Sequence, residues 1–225
     1  MSYLFLDTTL ISGLLLALLA PSWTSSQPEH SESVRFNTSD GGTIQGTLFP
    51  AGKELAVVLA HGAVFNKESW YPIAENLQAA GTSALAIDFR GYGESTAADS
   101  SARDLDIDGA IAFLEGKGYG AVALVGGSMG GNAVLVALSH NHDTQVVKAV
   151  ILASAGPAIR QTGIKKLFIV SKGDPIAAQT TACYEASASP KEMKVFSGSA
   201  HAQHLFKTEH AAELTKIIVT FLSNH

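Results

Sequence analysis

Residues 121–131 read Ala-Val-Ala-Leu-Val-Gly-Gly-Ser-Met-Gly-Gly, and this stretch decides the fold. A short, wholly apolar run ends on glycines, and Met129–His140 continues with helical character. The pattern is strand, sharp turn, helix, with Gly126, Ser128 and Gly130 at the spacing Gly-x-Ser-x-Gly. A serine at the tip of such a turn takes a strained backbone angle, and side chains two positions to either side would collide. Glycine at 126 and 130 removes those collisions. The Ser128 hydroxyl would then stand above the carboxyl ends of the strands, where ligands bind in parallel α/β sheets. A phosphate-binding turn fits poorly: there is no Gly-x-x-x-x-Gly-Lys-Ser/Thr in the chain, and Gly-x-Gly-x-x-Gly spacing is not met here.

Working outward, the chain alternates. Val34–Thr38 and Thr43–Phe49 flank Asp40-Gly41-Gly42, a hairpin signal. Strand-like runs follow at Ala56–His61, Ser83–Asp88, Ala121–Gly126, Val147–Ser154, Lys166–Ser171 and Lys194–Phe196. Helical spacing covers Ser69–Ala80, Arg103–Gly116, Met129–His140, Ile176–Ser187 and a closing helix over Leu205–Leu222. Strands alternating with helices predict an α/β fold, a mostly parallel sheet covered on both faces with antiparallel strands at one edge. No internal repeat interrupts the rhythm.

The 225 residues are 46% hydrophobic and 16% charged, which excludes a disordered chain and predicts one large core. The single cysteine, Cys183, rules out an intrachain disulfide and a cysteine-based zinc site. Net charge is −5 with no basic run, which argues against a nucleic-acid partner. Residues 1–33 differ from the rest, and one folded domain is expected over 34–225. Leu10–Ala20 is an apolar stretch of the length of a secretory-signal core and shorter than the ~20 residues of a spanning helix. Asp7, and the absence of any basic residue before Arg35, count against a signal. The two readings are a secreted or periplasmic protein and one anchored to a membrane through residues 10–20.

A serine hydroxyl needs a base to take its proton, and the base needs an orienting group. Lys172-Gly173-Asp174-Pro175 follows the strand Lys166–Ser171, and Ser197-Gly198-Ser199-Ala200-His201 follows the last strand. The chain order Ser128, Asp174, His201 is the order expected on this strand–turn–helix framework. His204 is the rival base but falls where the final helix begins. Asp88 is read as bracing the turn Arg90-Gly91-Tyr92-Gly93. Metal sites at His201/His204 or His140/His142/Asp143 lack further carboxylates and the His-Glu-x-x-His pattern, so no metal is expected. Oxyanion donors, worth about 3–4 kcal/mol each, are expected from the backbone N–H of Met129 and of Ala63, the latter in the loop His61-Gly62-Ala63-Val64. His61 is read as holding that loop.

Five separated motifs, His61-Gly62, Asp88–Ser95, Gly126–Gly131, Gly173-Asp174 and Ala200-His201, together resemble the α/β-hydrolase family, specifically its small serine esterases and dienelactone-hydrolase-like members. The resemblance spans roughly residues 34–225. It implies an eight-stranded, mostly parallel sheet, no cofactor, a small-molecule acyl ester as substrate, and a Ser128–His201–Asp174 mechanism. Two departures narrow it. The nucleophile is serine, unlike the branches using aspartate or cysteine. Only a short connection joins Ser154 to Lys166, where many relatives insert a cap, so an open, shallow cleft is expected; Val64, Phe65, Trp70, Met129, Ala155, Pro157 and Ile176 are side chains to look at for its lining, and the sequence does not place them. The rival functions are a serine peptidase or amidase, and a catalytically silent binding protein. Oligomeric state is not legible in the sequence.

Overall fold

The computed structural model describes residues 28–140 and 145–223. The apolar segment 10–20, His142 and Asp143 lie outside them. Among the described residues, no helix is long and apolar enough to cross a membrane.

Eight strands form one sheet: β1 (Glu32–Asn37), β2 (Thr43–Phe49), β3 (Leu55–Ala60), β4 (Ser83–Ile87), β5 (Ala121–Gly127), β6 (Val146–Leu152), β7 (Lys165–Ser171) and β8 (Lys191–Phe196). Their spatial order is β1-β2-β4-β3-β5-β6-β7-β8. The β1–β2 and β2–β4 pairs are antiparallel, and every pair from β4 to β8 is parallel. The hairpin turns at Gly41, whose φ is 83°. Among the described residues, five helices cover the sheet: α1 (Tyr71–Ala79), α2 (Asp104–Gly116), α3 (Met129–His140), α4 (Ala177–Ala186) and α5 (Ala211–Ser223). The mostly parallel α/β sheet read from the alternation, with the eight strands implied by the family resemblance, is therefore the one observed.

Side-chain alternation divides the core in two. Val58, Leu124 and Ile151 point to a layer shared with Ile107, Leu114 and Leu135 of α2 and α3. Val57, Leu59 and Val125 point to the opposite layer, closed by Ile73 and Leu77 of α1 and by Leu214, Ile218 and Leu222 of α5. Strands buried on both faces lose the polar alternation of a half-exposed sheet, which is why β3, β4 and β5 read as continuous apolar runs.

Two elements depart from the sequence reading. The closing helix does not run unbroken from Leu205 to Leu222: a 3-10 turn over Ala202–Lys207 stops at extended Thr208 (φ −114°, ψ 176°), and α5 restarts at Ala211. The Thr208 hydroxyl donates to the Leu205 carbonyl at 2.8 Å and accepts the His210 N–H at 3.2 Å. A hydroxyl that claims backbone groups in this way competes with helix continuation. Strand β8 begins at Lys191, not Lys194. Its first residues are charged because it is an edge strand, where lysine and glutamate discourage pairing with other chains.

The order β4-β3-β5 places the site. The chain leaves β3 toward one side of the sheet and returns to build the other, so the loops after β3 and β5 part company between neighbouring parallel strands. That crevice is the expected location of a ligand in an open α/β sheet.

Candidate active site

Ser128 sits between β5 and α3 with φ 53°, the left-handed region, where a side chain is strained. Its N–H donates to the Leu152 carbonyl at 2.9 Å, and its carbonyl accepts the Ser154 hydroxyl at 2.8 Å, so the next strand pins both sides of the turn. The glycines are required sterically. A Cβ at Gly126 would lie 2.4 Å from the Gly130 carbonyl oxygen, and one at Gly130 would lie 2.2 Å from that of Ala60. Gly131, which the motif does not specify, is equally confined: its Cβ would meet Ser154 Cβ at 2.6 Å.

The three residues expected to act together are joined. Ser128 Oγ lies 2.8 Å from His201 Nε2, and His201 Nδ1 lies 2.8 Å from Asp174 Oδ2. With Asp174 ionised, Nδ1 carries the proton and Nε2 is left to accept from the serine hydroxyl. Asp174 is 5% exposed, and its other oxygen accepts the Ile176 N–H at 2.9 Å. The loops carrying Asp174 and His201 are stitched together by Gly173 N–H to the Gly198 carbonyl at 2.8 Å and by the Ser171 hydroxyl to the Ala200 carbonyl at 2.6 Å. The His201 side chain remains 35% exposed, so its ring opens to solvent. Residues 153–164, between β6 and β7, contain neither helix nor strand.

The loop after β3 makes a tight turn in which the Gly62 carbonyl accepts the Phe65 N–H at 3.0 Å. His61 Nδ1 contacts the same carbonyl at 2.9 Å, and its Nε2 accepts the Phe89 N–H at 3.2 Å. Burial pushes the His61 imidazole below its usual pKa, opposed in part by its hydrogen bond to Gly62. It stays neutral and holds the loop, as read from the sequence. Among the described residues, neither the Ala63 N–H nor the Met129 N–H has a hydrogen-bond acceptor. Tyr92 spans the two residues that carry them, its hydroxyl donating to the Ala63 carbonyl at 3.0 Å and lying 3.7 Å from Met129 Sδ.

The remaining candidates sort out by position. His204 is exposed on the 3-10 turn, its ring 5.0 Å from that of Phe65, and it does not touch Ser128. Trp70, one of the side chains considered for the cleft, is fully buried and packs edge-on against Phe206. Asp88 braces more than the turn after β4. Its carbonyl takes the Ser95 hydroxyl, while its carboxylate takes the Lys67 backbone N–H at 2.8 Å and the Lys67 ammonium at 2.6 Å. The same turn carries an unforeseen ionic network in which Arg90, fully buried, binds Asp106 Oδ1 at 2.8 Å and Asp40 Oδ2 at 2.8 Å. Among the described residues, no cluster of histidine, cysteine and carboxylate side chains is placed to hold a metal ion.

Comparison with known proteins agrees with this picture. Residues 56–163 match the family model described as the alpha/beta hydrolase fold. The protein YfhR of Escherichia coli O157:H7 is 30% identical over 137 residues, covering 56% of this chain and 48% of that protein. ABHD14A of Danio rerio is 34% identical over 105 residues, covering 45% and 38% respectively. The chain thus spans half or less of the length of these curated relatives. Among solved structures, the esterase EaEST from Exiguobacterium antarcticum superposes with a TM-score of 0.71 at 16% identity, covering 86% of this chain and all of that one. The Pyrococcus furiosus esterase Pf2001 gives 0.72 at 16% identity, covering 85% and 91%. At such identities the likeness is one of fold. Motif order, strand order and matched family model coincide: the chain has the α/β-hydrolase fold, and its central 56–163 stretch matches that family's model.

Proposed function

We propose that this chain is a serine hydrolase that cleaves carboxylic esters through an acyl-enzyme, with thioesters and lipid esters as further candidate substrates. The observation that carries the reading is the unbroken hydrogen-bonded line from Ser128 through His201 to buried Asp174. His201 Nε2 takes the hydroxyl proton as Ser128 Oγ attacks the acyl carbonyl, and the charge gathers on the carbonyl oxygen. The uncommitted N–H groups of Ala63 and Met129 are the donors for that oxygen, and removing one such donor typically costs about 3–4 kcal/mol of barrier. His201 then returns the proton to the leaving alcohol or thiol, and a water activated by the same nitrogen releases the acid. Asp174 holds the imidazole tautomer and faces the imidazolium that forms.

The exposed base and the plain β6–β7 connection support an open cleft that accepts varied acyl groups. The decisive test is labelling with a fluorophosphonate, with the adduct located by mass spectrometry beside a folded Ser128→Ala control. An adduct on Ser128, absent from the control, is the expected result. A folded wild-type protein that takes no label would overturn the reading and leave a binding protein on a hydrolase fold.

A further inference from the structure

We infer that Gln203 is a positioning residue that sets the distance between the loop carrying the base and the loop offering the Ala63 donor. The role rests on the ester-hydrolase reading above. Gln203 lies two residues after His201 and is 3% exposed. Its Oε1 accepts the Gly62 backbone N–H at 2.7 Å, and its Nε2 donates to the Ser69 hydroxyl at 2.7 Å. The same side chain presses on the nucleophile turn: a Cβ at Gly127 would meet both Gln203 Cγ and Oε1 at 3.3 Å, and one at Gly62 would meet Oε1 at 3.4 Å. Loops from β3, β5 and β8 therefore converge on one buried amide.

The chemistry at each end of the amide is exacting. Gly62 is buried, so its N–H needs an acceptor inside the protein. The amide can satisfy it in one orientation only, because Ser69 Oγ itself donates to the Asn66 carbonyl and must receive its second hydrogen bond from a donor. Ser69 thus fixes which end of Gln203 faces Gly62. The backbone leading to Gln203 is equally constrained: Ala202 has φ 46°, and the His204 N–H returns to the His201 carbonyl at 2.9 Å. A side chain locked at both ends, on a backbone that cannot drift from His201, transmits the position of the base to Gly62. Ala63 is the next residue. A donor displaced by a fraction of an ångström no longer meets the developing oxyanion, although it still lets the substrate bind, so the loss falls on kcat.

The experiment compares wild type, Gln203→Met and Gln203→Glu. It reads kcat and KM on p-nitrophenyl butyrate, the rate of fluorophosphonate labelling, and the melting temperature. Gln203→Met keeps an unbranched stem against Gly127 and removes the acceptor. The expected result is kcat lower by about 10- to 100-fold, labelling slowed in parallel, and KM within about twofold. Gln203→Glu, which keeps an acceptor for the Gly62 N–H whatever its protonation state, should return to within about threefold of wild type. A Gln203→Met protein that turns over and labels as wild type does overturns the role, as does a Gln203→Glu protein equally impaired while still folded. Should Gln203→Met fail to fold, Ser69→Ala carries the same test, since it frees the amide to rotate. A drop in kcat of about two- to fivefold at constant KM supports the role, and an unchanged kcat overturns it. A wild-type protein that takes no fluorophosphonate overturns both this role and the ester-hydrolase reading, whereas labelled wild type with an unaffected variant overturns the role alone.

Discussion

Replacing Gly130 by alanine would place a methyl carbon 2.2 Å from the Ala60 carbonyl oxygen and 2.8 Å from that of His61. An ordinary carbon–oxygen contact is ~3.3 Å, so α3 must withdraw from β3 by about 1 Å. The obstructing atoms are backbone at the end of a central strand paired on both sides, and they cannot swing away as a side chain would. Overpacking of this kind costs about 3 kcal/mol, which in a chain of this size lowers the melting temperature by about 6–12 °C. The same withdrawal carries Met129 and Ser128 with it, and a 1 Å misplacement of reacting groups costs about 100-fold in rate. Thermal melting followed by circular dichroism, with fluorophosphonate labelling below the transition, reads both effects. A Gly130→Ala protein that melts within 2 °C of wild type, on the ~2–4 °C per kcal/mol scale, and labels at the wild-type rate would refute this account of the turn.

Asp174→Asn should leave the chain folded and lower kcat by about 10⁴-fold through the wrong imidazole tautomer; a loss below tenfold in an ester assay would count against its orienting role. Asp106→Asn leaves Arg90 short of a charge partner where both side chains are wholly buried. Urea denaturation should show about 3–5 kcal/mol of lost stability, and a loss under about 1 kcal/mol would mean the pair is dispensable. Burial holds the folded-state pKa of His61 below the ordinary 6.5, so the unfolded chain binds the extra proton more readily. Its contribution to stability is complete above that value and is lost as pH falls below it. Urea midpoints should decline between about pH 7 and 5, less steeply in His61→Gln, and an equal slope would assign the decline to other groups. Gly116→Ala, at a position with open space around the Cβ and no positive φ, should stabilise by about 0.4–1 kcal/mol without changing activity; destabilisation on melting would contradict that geometry.

What could be read from the sequence was what the chain encodes locally. Ser128 was legible because its whole environment, strand, glycines and helix, lies within a dozen consecutive residues. Asp174 and His201 were legible because each follows a buried strand directly, and parallel strands bring their carboxyl ends to one side of the sheet. The Gln203 amide was not, since its partner Gly62 is 141 positions away and nothing about a glutamine at the start of a helical turn announces a distant N–H. The Arg90–Asp106–Asp40 network was hidden for the same reason, its charges resembling ordinary surface residues until the fold buried them. Trp70 could not be placed because an aromatic beside a loop can face inward or outward, and only packing against Phe206 decides which. The break at Thr208 escaped because apolar periodicity continues through it, while the hydroxyl that interrupts the helix adds no signal to that period.

The plain connection between β6 and β7 bears on how this protein could be rebuilt. Its anchors lie at the two ends: Asn132 holds the Ala155 carbonyl at 2.8 Å, and the buried Ile159 gives its N–H to the Ser187 hydroxyl and its carbonyl to the Ala188 N–H. Gly156 and Pro157, between those anchors, are exposed. Extra chain can therefore be spliced at the Gly156–Pro157 junction with both anchors kept. The entropy of closing a longer loop grows only with the logarithm of its length, about 0.6 kcal/mol for each doubling. That small penalty makes the junction a socket into which a foreign helical hairpin can be grafted to roof the serine while the sheet beneath stays as it is.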